Sequence, residues 1–252
     1  MITAAILVCA VLAAARSTWS PCGLSMLSTI TPFGERARGH RYGATAAWFI
    51  AGAVAGGLTL GGVCSLLTIG LGRGPLAVGS VLALCGAAVD AGAFGPVLPL
   101  IRRQVDDRWV ARYRPWFYAA GFGWQVGVGV ATYLMTAAVG VVAGLAVLSG
   151  SWPTALLAGG VFGLARGLTV LLTAAASTPS ALRALHRRLD RLGPAVRWAL
   201  VGAQAAAGVA LDPVAAGWAA GGIAFCAAGM LLWGRAGALR RRAGIFRGRP
   251  AR

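Results

Sequence analysis

The stretch Trp19-Ser20-Pro21-Cys22-Gly23-Leu24-Ser25-Met26-Leu27 interrupts the first hydrophobic segment of the chain. Met1 to Ala15 is apolar, and Leu24 to Phe33 is again mostly apolar. Pro21 has no backbone N–H, and its ring crowds the preceding turn, so a helix through this point kinks or breaks. A break inside lipid frees backbone groups, and it is tolerated only where protein or a water-filled cavity surrounds it. Cys22 is therefore expected to face something other than lipid. The plainer alternative is that Cys22 is a small, buried and inert packing residue.

The composition sets the class. Of 252 residues, 58% are hydrophobic and 12% charged, and the mean hydropathy is +0.74. The apolar runs reach the ~20 residues that cross a bilayer. The expectation is an all-α integral membrane protein with a polytopic domain over 1–233 and a basic tail over 234–252. The 38 glycines suit close helix packing in lipid. A net charge of +17 invites a nucleic-acid reading, but all 23 basic residues are arginines, and 20 lie in three polar loops or the tail. That is the pattern of loop-directed membrane orientation. Contact with anionic lipid follows from it, so membrane lipid is an expected partner and nucleic acid is not.

Taken in order, segment one covers Met1 to Ile30. Ala13-Ala14-Ala15 resembles a signal-peptide cleavage site, but the charged n-region is missing and the apolar pattern resumes after Cys22, so cleavage is not expected. Segment two covers Gly43 to Leu71, segment three Leu76 to Ile101, segment four Trp116 to Leu148, and segment five Pro153 to Ala176. The loop Thr178 to Arg197 places Leu182, Leu185, Leu189 and Leu192 at helical spacing among arginines, which predicts an amphipathic helix on the membrane surface. Trp198 to Leu211 is a short sixth segment and Val214 to Trp233 a seventh. The loops after segments one, three and five and the tail hold 3, 5, 5 and 7 arginines. With these facing the cytoplasm, the N-terminus lies outside the plasma membrane and the tail inside, provided the spans number seven. Six spans are the alternative.

Arg16, Asp90, Gln125 and Arg166 are polar residues at membrane depth. Each charge there costs about 2.5–3.5 kcal/mol on insertion scales, which favours pairing in the bundle interior. Asp90 is the one acidic residue inside a segment, and Arg166 or Arg16 is its expected partner. Either the pair only holds helices together, or an arginine lies beside Cys22 and activates it. Cys9, Cys64, Cys85 and Cys226 sit in apolar surroundings and read first as packing residues. There is no C-x-x-C pair and no Cys/His cluster with metal spacing, so no metal and no cofactor are expected. Trp124-Gln125-Val126-Gly127 in segment four echoes Trp19-Ser20-Pro21-Cys22. This suggests that segments one to three and four to six form an inverted repeat with a site near the midplane.

Ser20-Pro21-Cys22, with the flanking apolar runs and the arginine-containing first loop, resembles the cytochrome c biogenesis protein CcdA and the membrane domain of DsbD. Phe122-Gly123-Trp124 and Val161 to Leu168 are similar to further parts of that family. The resemblance implies a thiol–disulfide relay, possessing two intramembrane cysteines and serving a thioredoxin-like protein and an exported thiol protein. Cys22, after Pro21, matches the first cysteine. Val126-Gly127 stands where the second Pro-Cys would be, which leaves Cys64 and Cys85 as candidate partner thiols. Two other readings stay open: a non-redox small-solute transporter lined by Asp90, Arg166 and Gln125, and an accessory membrane subunit without turnover of its own.

Overall fold

A computed structural model describes residues 2–94, 109–130, 135–224 and 226–227. Every regular element among them is helical. In chain order these are α1 (Ile2–Arg16), a 3-10 turn (Ser17–Trp19), α2 (Pro21–Thr29), α3 (Pro32–Ala37), α4 (Tyr42–Leu71), α5 (Leu76–Ala91), α6 (Trp109–Arg112), α7 (Pro115–Val128), α8 (Ala138–Leu148), α9 (Trp152–Leu168) with a 3-10 extension (Thr169–Thr173), and α10 (Pro179–Leu211). A last helix, α11, covers 213–224. Several helices open on proline, where the missing N–H costs nothing. Ser20, Thr31 and Thr178 cap α2, α3 and α10 by accepting from the backbone N–H three residues on.

Among the described residues, three stretches are long and apolar enough to cross a membrane: Ile2–Trp19, Tyr42–Leu71 and Trp152–Thr173. The 30-residue α4 is about 45 Å long at 1.5 Å per residue. That exceeds the ~30 Å hydrocarbon core of a bilayer.

α4 is the central post, packed between α7 and α9. Glycine allows the approach. A Cβ on Gly57 would run into the Gly159 carbonyl oxygen, and one on Gly159 into that of Gly57. On the other side, Gly52 and Gly56 meet the carbonyls of Ala120 and Trp124, while Gly123 and Gly127 meet those of Phe49 and Ala53. Small residues of this kind bring backbones into van der Waals contact where lipid supplies no hydrophobic drive. Hydroxyls add cross-links: Ser65 Oγ donates to Trp152 O at 3.0 Å, and Thr68 Oγ1 to Val147 O at 3.3 Å.

Among the described residues the core falls into two clusters. One gathers Ile6, Cys9, Cys64, Val142, Leu145 and Leu200. The other gathers Cys22, Met26, Phe49, Phe122, Val126 and Val170.

The helices depart from the sequence reading in three places. Segment three is expected to run to Ile101, but α5 stops at Ala91, where Gly92 turns the chain at φ +79°. Segment four is not one helix: α7 stops at Val128, where Gly129 turns the chain at φ +73°, and α8 starts at Ala138. The polar loop 178–197 and the sixth segment are not separate either. They form one helix of 33 residues that continues through Pro194. The end of segment three (95–101), the first half of the loop after it (102–108), the end of segment seven (228–233) and the tail (234–252) lie outside the described residues.

Candidate functional site

The first segment breaks as Pro21 demands. α1 ends at Arg16, the 3-10 turn follows, and Ser20 leaves the helical region at ψ 152°. Pro21 then starts α2. Ser20 Oγ accepts the Gly23 N–H at 3.1 Å, satisfying one of the orphan donors at the new helix start. Gly23 is pressed so close to the Thr18 carbonyl that a Cβ would collide with it. The break is thus a tight, hydrogen-bonded corner.

Arg166 reaches this corner from the last turn of α9. It is 2% exposed. Its Nη2 donates to Ser20 Oγ at 3.3 Å, it interacts electrostatically with Cys22, and its Nε is buried without a hydrogen-bond partner. A cavity of about 10 Å³ beside it is lined by Gly23, Met26, Phe49, Val126 and Thr169. That is about the room one water needs. Among the described residues no carboxylate lies within 4 Å of Arg166, since both ion pairs belong to Glu35. The start of α2 adds the positive end of its dipole. Guanidinium and helix start together make the corner electropositive and able to stabilise negative charge beside Ser20 and Cys22.

The other expected residues lie elsewhere. Asp90, half-buried at the end of α5, accepts from Thr136 Oγ1 at 2.7 Å, Ala137 N at 2.9 Å and Gln204 Nε2 at 3.1 Å. It makes no ion pair with Arg166 or Arg16 within 4 Å among the described residues. Arg16 is nevertheless within electrostatic reach of Asp90 and Arg197, and Arg197 Nε donates to the Asp90 carbonyl at 2.7 Å. Asp90 therefore fastens α8 and α10 to α5, and Arg166 serves the corner. Gln125 is half-buried on α7. Cys64 belongs to the opposite cluster from Cys22, and Cys85 is exposed.

Sequence reasoning missed Glu35. It is fully buried, and it accepts from Arg38 Nη2 at 2.6 Å, Tyr118 OH at 2.9 Å and Thr45 Oγ1 at 2.8 Å. His40 Nδ1 stands 3.4 Å away. This cluster joins α3, α4 and α7 at the end of the bundle that carries the first arginine loop. One signal was available: Glu35 is the single glutamate of the chain, set among arginines.

Comparison with known proteins redirects the family reading. The chain is similar to the methylamine utilization protein MauF of Methylobacillus flagellatus, 32% identical over 161 residues, covering 61% of this chain and 57% of the relative. The MauF of Methylophilus methylotrophus is 32% identical over 169 residues, covering 61% and 56%. That of Paracoccus denitrificans is 34% identical over 171 residues, covering 63% and 59%. The chain thus spans a little over half the length of these relatives. No family profile and no solved structure matches it. The MauF matches overturn the resemblance to CcdA and DsbD, and with it the expected thiol–disulfide relay in cytochrome c biogenesis. They lend no support to the small-solute transporter or the accessory subunit.

Proposed function

We propose that this chain is a membrane-embedded protein of methylamine utilization, and that its working centre is the corner where Arg166 meets Ser20 and Cys22. The observation that carries the first part is the similarity to three MauF proteins, each near one third identical over about 160–170 residues. The second part rests on cost. A guanidinium fully buried among apolar helices, without a carboxylate within 4 Å among the described residues, opposes insertion and folding. Its place at a helix break that can stabilise negative charge suits a functional site, whereas Asp90 and Glu35 are satisfied by structural hydrogen bonds.

Within this reading the fold is two copies of a three-segment unit, inverted in the membrane. Its support is that both copies open on an interrupted helix: α1 and α2 flank Ser17–Ser20, and α7 and α8 flank 129–137. Seven spans, an outside N-terminus and a cytoplasmic tail complete the reading on the arginine distribution.

Deletion of the gene in its own host tests the role. Growth on methylamine should be lost and growth on another carbon source kept. Unimpaired growth on methylamine would contradict it, and so would a host that cannot use methylamine with the gene intact.

A further inference from the structure

The amphipathic half of α10 does not simply lie flat beside the bundle. It folds back over the broken first segment: Trp19 Nε1 donates to the Leu189 carbonyl at 3.1 Å, and His186 Nε2 lies 3.4 Å from Ser28 Oγ. Leu189 is buried as a result. Between this half of α10 and the 3-10 end of α9 the structure leaves an open groove of about 400 Å³, lined by Leu172, Leu185, Leu189 and Leu192 together with Arg188 and Arg191.

We infer that this groove binds one anionic phospholipid of the surrounding bilayer, its phosphate held by Arg188 and Arg191 and the start of its acyl chains lying on the leucines. Charge complementarity selects this occupant. Arg188 and Arg191 are exposed, and neither is in an ion pair, since both ion pairs among the described residues are at Glu35. Arginine forks match phosphate oxygens in a bidentate manner. The apolar floor suits an amphiphile and is superfluous for a free anion. Location points the same way. Leu172 lies in the last turn of the Trp152–Thr173 span, below which Leu164, Leu168 and Leu171 are all exposed, as on a lipid-facing side. The groove therefore opens at the level where chains give way to headgroups. The volume falls within the ~300–1,000 Å³ of small-molecule sites. This inference is independent of the role in methylamine utilization. It adds a contact between one lipid and the element that pins the Ser20–Cys22 corner through Trp19.

The test is retention of defined lipids by the purified full-length chain, read by native mass spectrometry. Samples are exchanged into phosphatidylglycerol or phosphatidylcholine. The wild type should retain one phosphatidylglycerol in preference to phosphatidylcholine. The double variant Arg188→Gln/Arg191→Gln should retain it at least about tenfold less, because it removes charge-assisted hydrogen bonds to the phosphate, and one bond to a charged group is worth a factor of about ten or more. The double variant Arg183→Gln/Arg187→Gln removes the same charge from the same helix outside the groove and should stay within about twofold of wild type. Unfolding midpoints of both variants should match wild type, since all four side chains are exposed. Equal loss in the two double variants would mean diffuse attraction and overturn the site. Equal retention of phosphatidylcholine, or displacement of phosphatidylglycerol by millimolar inorganic phosphate, would also overturn it.

Discussion

Arg166 Nη2 donates to Ser20 Oγ at 3.3 Å across 146 residues of sequence, so the last turn of α9 is tied to the cap of α2. The same oxygen accepts the Gly23 N–H. One hydroxyl thus ends the irregular turn, starts the new helix and holds a buried cation. The corner is a joint between the first and fifth segments.

Ser20→Ala removes both bonds. Loss of the cap costs about 1 kcal/mol, and loss of a bond to a charged group about 1.5–3 kcal/mol. Thermal unfolding in detergent should show a midpoint several degrees lower. An unchanged midpoint in Ser20→Ala would show that neither bond contributes.

The α4 contacts predict a contrast between glycines. Gly57→Leu forces a side chain into the Gly159 backbone, whereas Gly62 has nothing within 4 Å of an added Cβ. Overpacking costs about 1–3 kcal/mol or more. Gly62→Ala should be neutral or stabilising by up to ~1 kcal/mol from helix propensity. Size-exclusion profiles and unfolding midpoints read the difference. Equal behaviour of the two variants would refute the close packing of α4 on α9.

Much of the fold was legible. Segment two and α4 coincide to a residue or so, and Pro21 marked the break inside segment one. What escaped depended on distant or subtle causes. The break after Val128 has no proline; a single glycine at positive φ turns the chain there. The boundary drawn at Arg197 followed the change from basic to apolar composition. α10 runs through that change because both halves have helical periodicity and Pro194 does not end the helix. The pairing of Arg166 with Ser20 instead of Asp90 needed the fold, since nothing local selects between partners 76 and 146 positions away. The family reading went astray because Ser20-Pro21-Cys22 is a short motif whose helix-starting physics is general.

Glu35 yields a further prediction. Glu35→Ala leaves Arg38, Tyr118 and Thr45 without their shared acceptor. Breaking a buried pair by removing one partner costs about 3–5 kcal/mol, with the lower end expected because the Arg38 side chain is 30% exposed. Membrane yield and the unfolding midpoint should both fall. Tyr118→Phe removes one donor, at 2.9 Å and 3.0 Å from the two carboxylate oxygens, and should cost less. A Glu35→Ala protein as stable as wild type would show that the cluster does not brace α3 against α4 and α7.

Asp90→Asn should act on stability, because Asp90 Oδ1 and Oδ2 together accept from Thr136, Ala137 and Gln204 and an amide keeps only one oxygen. Per-molecule function should be preserved once membrane content is matched. A variant that is as abundant as wild type yet inactive would move Asp90 from brace to working residue.

The most direct measurement is growth on methylamine of the native host with Arg166→Gln on the chromosome, with membrane content of the protein measured in the same cells. The variant should be present in the membrane, growth on methylamine should be lost, and growth on another carbon source should be normal. Normal growth on methylamine with Arg166→Gln would contradict the claim that the buried guanidinium at the Ser20–Cys22 corner is where this protein works.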